Sequence, residues 1–174
     1  MDDPKKKFAK LYDKYVIKLY RFIFLKVGSQ ETAEDLTSQV FAKVWDRFRN
    51  SNRNSNRKKE EIKNLTAYLY QVARREIADY HRQKAKFQVI PTHSLQISDP
   101  ASSLEENSTL QEEIEAVRNS LSELTEEHQN VIIWRYLDGY SIKEIAKILG
   151  KSKGAVRVML HRALKELREK VERL

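Results

Sequence analysis

Apolar residues recur along most of the chain at spacings of three and four, the period of a helix that buries one face. Phe8, Leu11, Tyr12, Tyr15, Leu19, Phe22 and Ile23 trace one stripe and predict a first helix over Lys5–Val27. Gly28 is suited to stop it and Ser29 to cap the next. That second helix is predicted to reach about Phe48, with Ala33, Leu36, Val40, Phe41, Val44, Trp45 and Phe48 on one side. The tract at residues 49–59 is built from Asn, Ser, Arg and Lys, so it has nothing to bury and predicts a loop. A third helix follows over Asn64–Lys86, with Leu65, Tyr68, Leu69, Val72, Ala73, Ile77 and Tyr80 turned inward.

The period then fails. Residues 87–107 carry Pro91 and Pro100 among Ser and Asp, which is the composition of a flexible linker. Beyond it, Ser108 and Gln111 match a capping box, and Leu110, Ile114, Val117 and Leu121 mark a helix behind it. Thr125 can cap another, with Glu126 and Glu127 at its positive end and Gly139 as its stop. Its apolar positions are Val131, Ile132, Trp134, Tyr136 and Leu137. The last forty residues are the most informative. Ser141 and Glu144 form an S-x-x-E capping box ahead of Ile142, Ile145, Ala146 and Leu149. Gly150 can end that short helix in the left-handed conformation, and Ser152 can cap the next. The final stripe is Val156, Met159 or Leu160, Ala163, Leu164 and Leu167, with Lys153, Arg157, His161, Arg162 and Lys165 on the other face. A short helix, a tight turn and a second helix with a basic outer face form a helix-turn-helix, which places side chains in a DNA major groove.

The predicted fold class is therefore all-α: two small helical domains joined by a flexible linker, the second with a helix-turn-helix. Charge sharpens this picture. The net charge of +8 divides into +10 over residues 1–87, −8 over residues 88–130 and +6 over residues 131–174. Two basic blocks flanking an acidic middle favour a polyanion at each end of the chain. There is no cysteine, which excludes disulfides and thiolate metal sites. No run approaches the roughly 20 apolar residues of a membrane span, so a cytoplasmic protein without membrane insertion is expected. His81, His93, His128 and His161 do not cluster with carboxylates at ligand spacing, and no P-loop, H-E-x-x-H or G-x-S-x-G is present. Enzyme chemistry, a cofactor and a metal are not expected.

Three stretches, in order, resemble the sigma-70 family, and most closely its extracytoplasmic-function (ECF) type. They are residues 33–45, with Asp35, Leu36, Phe41 and Trp45; residues 67–82; and the helix-turn-helix, ending at residues 154–163. The resemblance implies a sigma factor that binds core RNA polymerase and directs promoter-specific initiation. Residues 5–87 would form a region 2-like domain, 88–107 a linker and 108–174 a region 4-like domain. The second helix would dock on the β′ clamp through Asp35, Ser38, Gln39, Phe41 and Lys43, and the second domain would meet the β flap. The minus-ten element would be held by Asn56, Arg57, Tyr68, Arg74, Arg75, Tyr80 and Arg82. Aromatic faces there would stack on unpaired bases, and cations would hold phosphates. The minus-thirty-five element would be read by Ser152, Lys153, Arg157, His161 and Arg162. Promoter DNA, core polymerase and an anti-sigma factor are the implied partners.

The chain departs from the family pattern at Ser38 and Gln39, at Tyr68 and Arg75, and at Ala155. The linker meets a geometric requirement: its 20 residues, fully extended, reach at most roughly 70 Å, which is about two turns of duplex. Acidic residues between Glu105 and Glu115 could also cover the basic DNA-binding faces. Two other readings use less of the chain. A stand-alone helix-turn-helix repressor accounts for residues 125–170 only. A helical adaptor or anti-sigma-type interaction protein predicts a depleted recognition face, whereas Arg157, His161 and Arg162 are present.

Overall fold

The computed structural model describes residues 4–53, 64–88 and 105–172. Among these, the chain is helical with no strand. Its elements are α1 (Pro4–Val27), α2 (Gln30–Arg53), α3 (Leu65–Gln88), α4 (Glu105–Ser122), α5 (Glu126–Ile132), a π-helical turn (Ile133–Leu137), α6 (Ile142–Leu149) and α7 (Lys153–Val171). The junctions follow local chemistry. Gly28 sits at φ 75°, and the Thr32 amide donates to Ser29 Oγ at 3.3 Å, so one residue stops α1 and the next caps α2. Asn64 caps α3, accepting from the Ala67 amide at 3.0 Å.

Three boundaries differ from the sequence reading. α2 runs to Arg53, so the start of the polar tract is helical, and the rest of it lies outside the described residues. Ser108 lies inside α4, which begins at Glu105, so the predicted capping box at Ser108 and Gln111 does not start that helix. The helix after Thr125 loosens at Ile133 into a π turn, closed by the Asp138 amide donating to the Ile133 carbonyl at 2.9 Å. The extra residue per turn lets five consecutive residues, Asn130 to Trp134, all be buried, and it rotates Tyr136 and Leu137 out to solvent. An unbroken 3.6-residue period had placed those two inside. Tyr12, Leu110 and Val117, also predicted inward, are exposed as well.

α1, α2 and α3 pack together around Leu19, Phe22, Ile23, Val40, Val44, Leu69 and Ala73. α5 packs on α7, and α6 on α7, around Val131, Ile145, Val156 and Ala163. These two groups share one continuous core. Trp134, on the π turn, lies parallel to Phe22 of α1, with ring centroids 5.7 Å apart. Tyr70 of α3 meets both rings edge-on at 5.2 Å and meets Tyr140 at 6.0 Å. Trp134 and Tyr70 are fully buried by this arrangement. Aromatic contacts of this kind are worth about 0.5–1.5 kcal/mol each beyond the area they bury.

Candidate nucleic-acid interface

The helix-turn-helix is held at each joint by a side chain that satisfies an orphan backbone group. Ser141 Oγ accepts from the Glu144 amide at 3.2 Å, and Glu144 Oε2 accepts from the Ser141 amide at 2.8 Å. That backbone bond, with the Ser141 hydroxyl, holds the Glu144 carboxyl below the usual carboxylate range. Gly150 adopts φ 64°, ψ 29°, a left-handed cap that lets the chain turn sharply. Ser152 Oγ then accepts from the Ala155 amide at 3.1 Å and starts α7. Val156, Leu160 and Ala163 bury one face of α7, which fixes its rotation. Leu160, not Met159, takes the buried position. Lys153, Arg157, His161 and Arg162 consequently stand on the exposed face, with Ser152 at its N-terminal end. No carboxylate among the described residues engages Lys153, Arg157 or Arg162, so their charge faces outward. His128, by contrast, is drawn to Glu166, at 2.6 Å, inside the helical domain.

α3 carries the second basic set, and it is divided. Arg75 and Arg82 are exposed, with Arg82 2.9 Å from Asp79 on its own helix. Tyr80 is half-buried, with Lys84 over its ring at 5.8 Å. Tyr68 and Arg74 instead face the C-terminal helices. With Gln71, they line a cleft whose other wall includes Trp134, Lys147 and Leu149. Arg74 Nε lies 2.8 Å from Glu126 Oε1. Asn56 and Arg57 lie outside the described residues.

α2 presents Asp35, Ser38, Gln39 and Lys43 on an exposed face. Ser38 Oγ is turned back to the Glu34 carbonyl at 3.0 Å, and Lys43 is paired with Glu76 of α3. Phe41 is buried under Tyr12 at 4.7 Å and beside Phe8 at 6.3 Å. It holds α2 against α1 rather than standing on the surface. Trp45 is partly buried against Phe8 at 4.9 Å.

Comparison with known proteins accounts for both halves. Residues 11–87 match the model described as sigma-70 region 2, and residues 114–167 the one described as sigma-70 region 4. The ECF RNA polymerase sigma factor SigX of Bacillus subtilis is 30% identical over 172 residues, covering 96% of this chain and 84% of that protein. The chain belongs to the sigma-70 family, in its ECF group. A second relative, the ECF RNA polymerase sigma factor BldN of Streptomyces coelicolor, is 29% identical over 162 residues, and this chain spans 58% of its length. The fold is also that of CnrH, solved in complex with the cytosolic domain of CnrY. That match has a TM-score of 0.66 at 17% identity and covers 97% of this chain and 89% of that one.

In this ECF family member, regions 2 and 4 are joined by a seam whose residues differ from the acidic stretch expected to cover the basic faces. Besides the aromatic cluster, Arg21 Nε lies 3.4 Å from Asp138 Oδ1, and Arg21 Nη1 donates to the Leu137 carbonyl at 3.0 Å. The Tyr70 and Tyr140 hydroxyls are 3.1 Å apart, and Asn64 Nδ2 donates to the Lys147 carbonyl at 3.1 Å. Lys26 donates to Gln129 Oε1 at 3.3 Å. Burial pushes the Lys26 ammonium down to about 8 against the attraction of Glu126, with Arg74 adding to the fall. Burial raises Glu126, but Arg74 and Lys26 outweigh it and hold its carboxyl below the usual range. Burial also lifts Asp138 to about 6, although Arg21 and Lys18 pull the other way. The expectation that acids between Glu105 and Glu115 would cover a basic face is corrected for those described. Glu112 and Glu113 are exposed, and Glu115 pairs with Arg118 of its own helix, at 2.6 Å. Glu126 and Asp138 make the cross-seam pairs instead.

Proposed function

We propose that this chain binds core RNA polymerase through α2 and directs it to promoters carrying minus-ten and minus-thirty-five elements. The observation that carries this reading is the recognition helix. α7 holds Lys153, Arg157, His161 and Arg162 on a single exposed face whose rotation is fixed by Val156, Leu160 and Ala163. A helix so presented fits a major groove, where Arg can bind guanine O6 and N7 together. The amides at the N-terminus of α7 face a phosphate in that geometry.

Residues 5–87 serve in this proposal as the domain for polymerase and the minus-ten element, 88–107 as the bridge and 108–174 as the minus-thirty-five domain. Asp35, Ser38, Gln39 and Lys43 contact the β′ clamp, with Phe41 supporting them from beneath. Asn56, Arg57, Tyr68, Arg74, Arg75, Tyr80 and Arg82 hold the opened minus-ten strand, and region 4 meets the β flap. An anti-sigma factor completes the partners. The chain acts in the cytoplasm, where polymerase and chromosome meet, and performs no catalysis of its own, because it lends binding energy to the polymerase. No helix among the described residues is long and apolar enough to cross a membrane, which accords with that placement.

Arg157→Ala and Arg162→Ala test the reading. Each is expected to cost about 1–3 kcal/mol of discrimination if it reads a base, lowering promoter-directed transcription roughly 5- to 150-fold. The loss should be specific to the minus-thirty-five sequence, read by run-off transcription on templates varied at that element. Equal activity of wild type and both variants on all templates would contradict the assignment.

A further inference from the structure

We propose that the cavity between α1, α3 and α5 is a binding site for a small organic monoanion, a carboxylate carried on a short apolar body. The cavity measures about 320 Å³, within the roughly 300–1,000 Å³ of small-molecule sites. Leu25 of α1, with Ile77 and Ala78 of α3, gives it an apolar wall. Lys26, Arg74 and Glu126 bring charge to the same space. Small-molecule sites have this make-up: apolar surface for the body of the ligand and a few polar groups that fix its head.

The charges in the cavity do not balance. Lys26 and Arg74 are two cations against the single carboxylate of Glu126, and that carboxylate is bonded to Arg74 Nε at 2.8 Å. Lys26 makes no ion pair among the described residues. An ammonium has three hydrogens to donate. Among the described residues, that of Lys26 makes one hydrogen bond, 3.3 Å long, to the neutral amide oxygen of Gln129, and it stands 5.0 Å from the Phe22 ring. A cation withdrawn from water costs free energy until an anion meets it. The burial that pushes this ammonium down to about 8 is that cost.

The donors left over suit a carboxylate. Arg74 uses only Nε within the described residues, which leaves the Nη groups to grip two oxygens side by side. Lys26 can add its remaining hydrogens to the same head. His81 donates from Nε2 to the Lys26 carbonyl at 3.1 Å, tying α3 to the turn of α1 that carries the ammonium. One monoanion would cancel the excess charge, and its apolar body would lie on Leu25 and Ile77.

Benzoate is a suitable probe, titrated at constant ionic strength into the isotope-labelled full-length chain and followed by amide chemical shifts. Signals from residues 25–26, 74–81 and 126–129 should move together and saturate with one dissociation constant. Acetate keeps the head and loses the body, so it should bind roughly tenfold more weakly. Benzyl alcohol keeps the ring and loses the charge, and should also lose about tenfold. Lys26→Met keeps the apolar stem without the ammonium and should weaken benzoate about tenfold, the low end for a hydrogen bond to a charged group. Should that variant not fold, Ala78→Phe decides the matter. It lies at an exposed position, fills the cavity with every charge kept, and should abolish the benzoate shifts there.

Benzoate shifts confined to the N-terminus of α7 or to other basic surfaces would overturn the proposal. So would cavity shifts that Ala78→Phe leaves unchanged. Equal affinity for benzoate and benzyl alcohol would overturn the role given to Lys26 and Arg74. Neither polymerase nor DNA is present in the titration, so a failure here leaves the sigma-factor reading untouched.

Discussion

Replacing Trp134 by Ala is expected to cost about 3–5 kcal/mol, the range for removing a fully buried large aromatic. Trp134 has no exposed surface, lies parallel to Phe22 at 5.7 Å and meets Tyr70 edge-on at 5.2 Å. The side chain sits where region 4 meets α1 and α3, so its loss leaves a cavity bounded by both regions. Chemical denaturation followed by circular dichroism measures the cost. Trp134→Phe should lose much less, because Phe keeps a ring against Phe22 and Tyr70, and the indole Nε1 makes no hydrogen bond to protein. A cost below about 1 kcal/mol for Trp134→Ala would mean that the seam collapses around the gap or does not form.

Stability should also fall as pH rises from about 4 to about 6, and Asp138→Asn should remove that fall. Burial holds the Asp138 carboxyl at about 6, against 3.8 for an ordinary aspartate, with Arg21, Lys18 and the nearby Tyr70 hydroxyl opposing the shift. The folded chain thus keeps this proton where the unfolded chain has lost it. The protonated acid favours the folded state at low pH, and this contribution disappears as pH passes through about 6. The shift corresponds to a change on the order of 3 kcal/mol at most. Asn keeps the shape and carries no charge, so the stability of Asp138→Asn relative to wild type should rise with pH and level off above about 6. Denaturation of both proteins at intervals between about pH 3 and about pH 7, roughly one unit beyond each end of the transition, reads this difference. Taking the difference cancels the contributions of every group common to both proteins. Parallel pH profiles would show that the Asp138 charge is not buried at the seam.

Short-range rules made most of the elements legible. The Gly28 stop, the Thr125 cap and the Ser141–Glu144 box each involve residues within about four positions, and each is present in the structure. The recognition face was legible for the same reason: the α7 stripe of Val156, Leu160 and Ala163 dictates that Arg157, His161 and Arg162 point outward. The residues that build the seam were not legible. Tyr70 lies off the predicted inward stripe of α3, and it is buried between Phe22 of α1 and Trp134 and Tyr140 of region 4. Arg21, Lys26, Glu126 and Asp138 looked like ordinary surface charges, because their partners stand 52 to 117 residues away on another helix or, for Lys26, 103 residues away at Gln129. Tyr136 and Leu137 were misplaced for a different reason. The π turn shifts the helical phase by one residue, and no Gly or Pro announces it.

Promoter-directed transcription by core RNA polymerase, with and without this chain, on a library of genomic fragments tests the sigma-factor assignment most directly. Start sites should appear only when the chain is added and disappear with Arg157→Ala or Arg162→Ala. No association with polymerase and no new start sites, with binding to duplex DNA retained, would contradict the assignment and favour a stand-alone repressor.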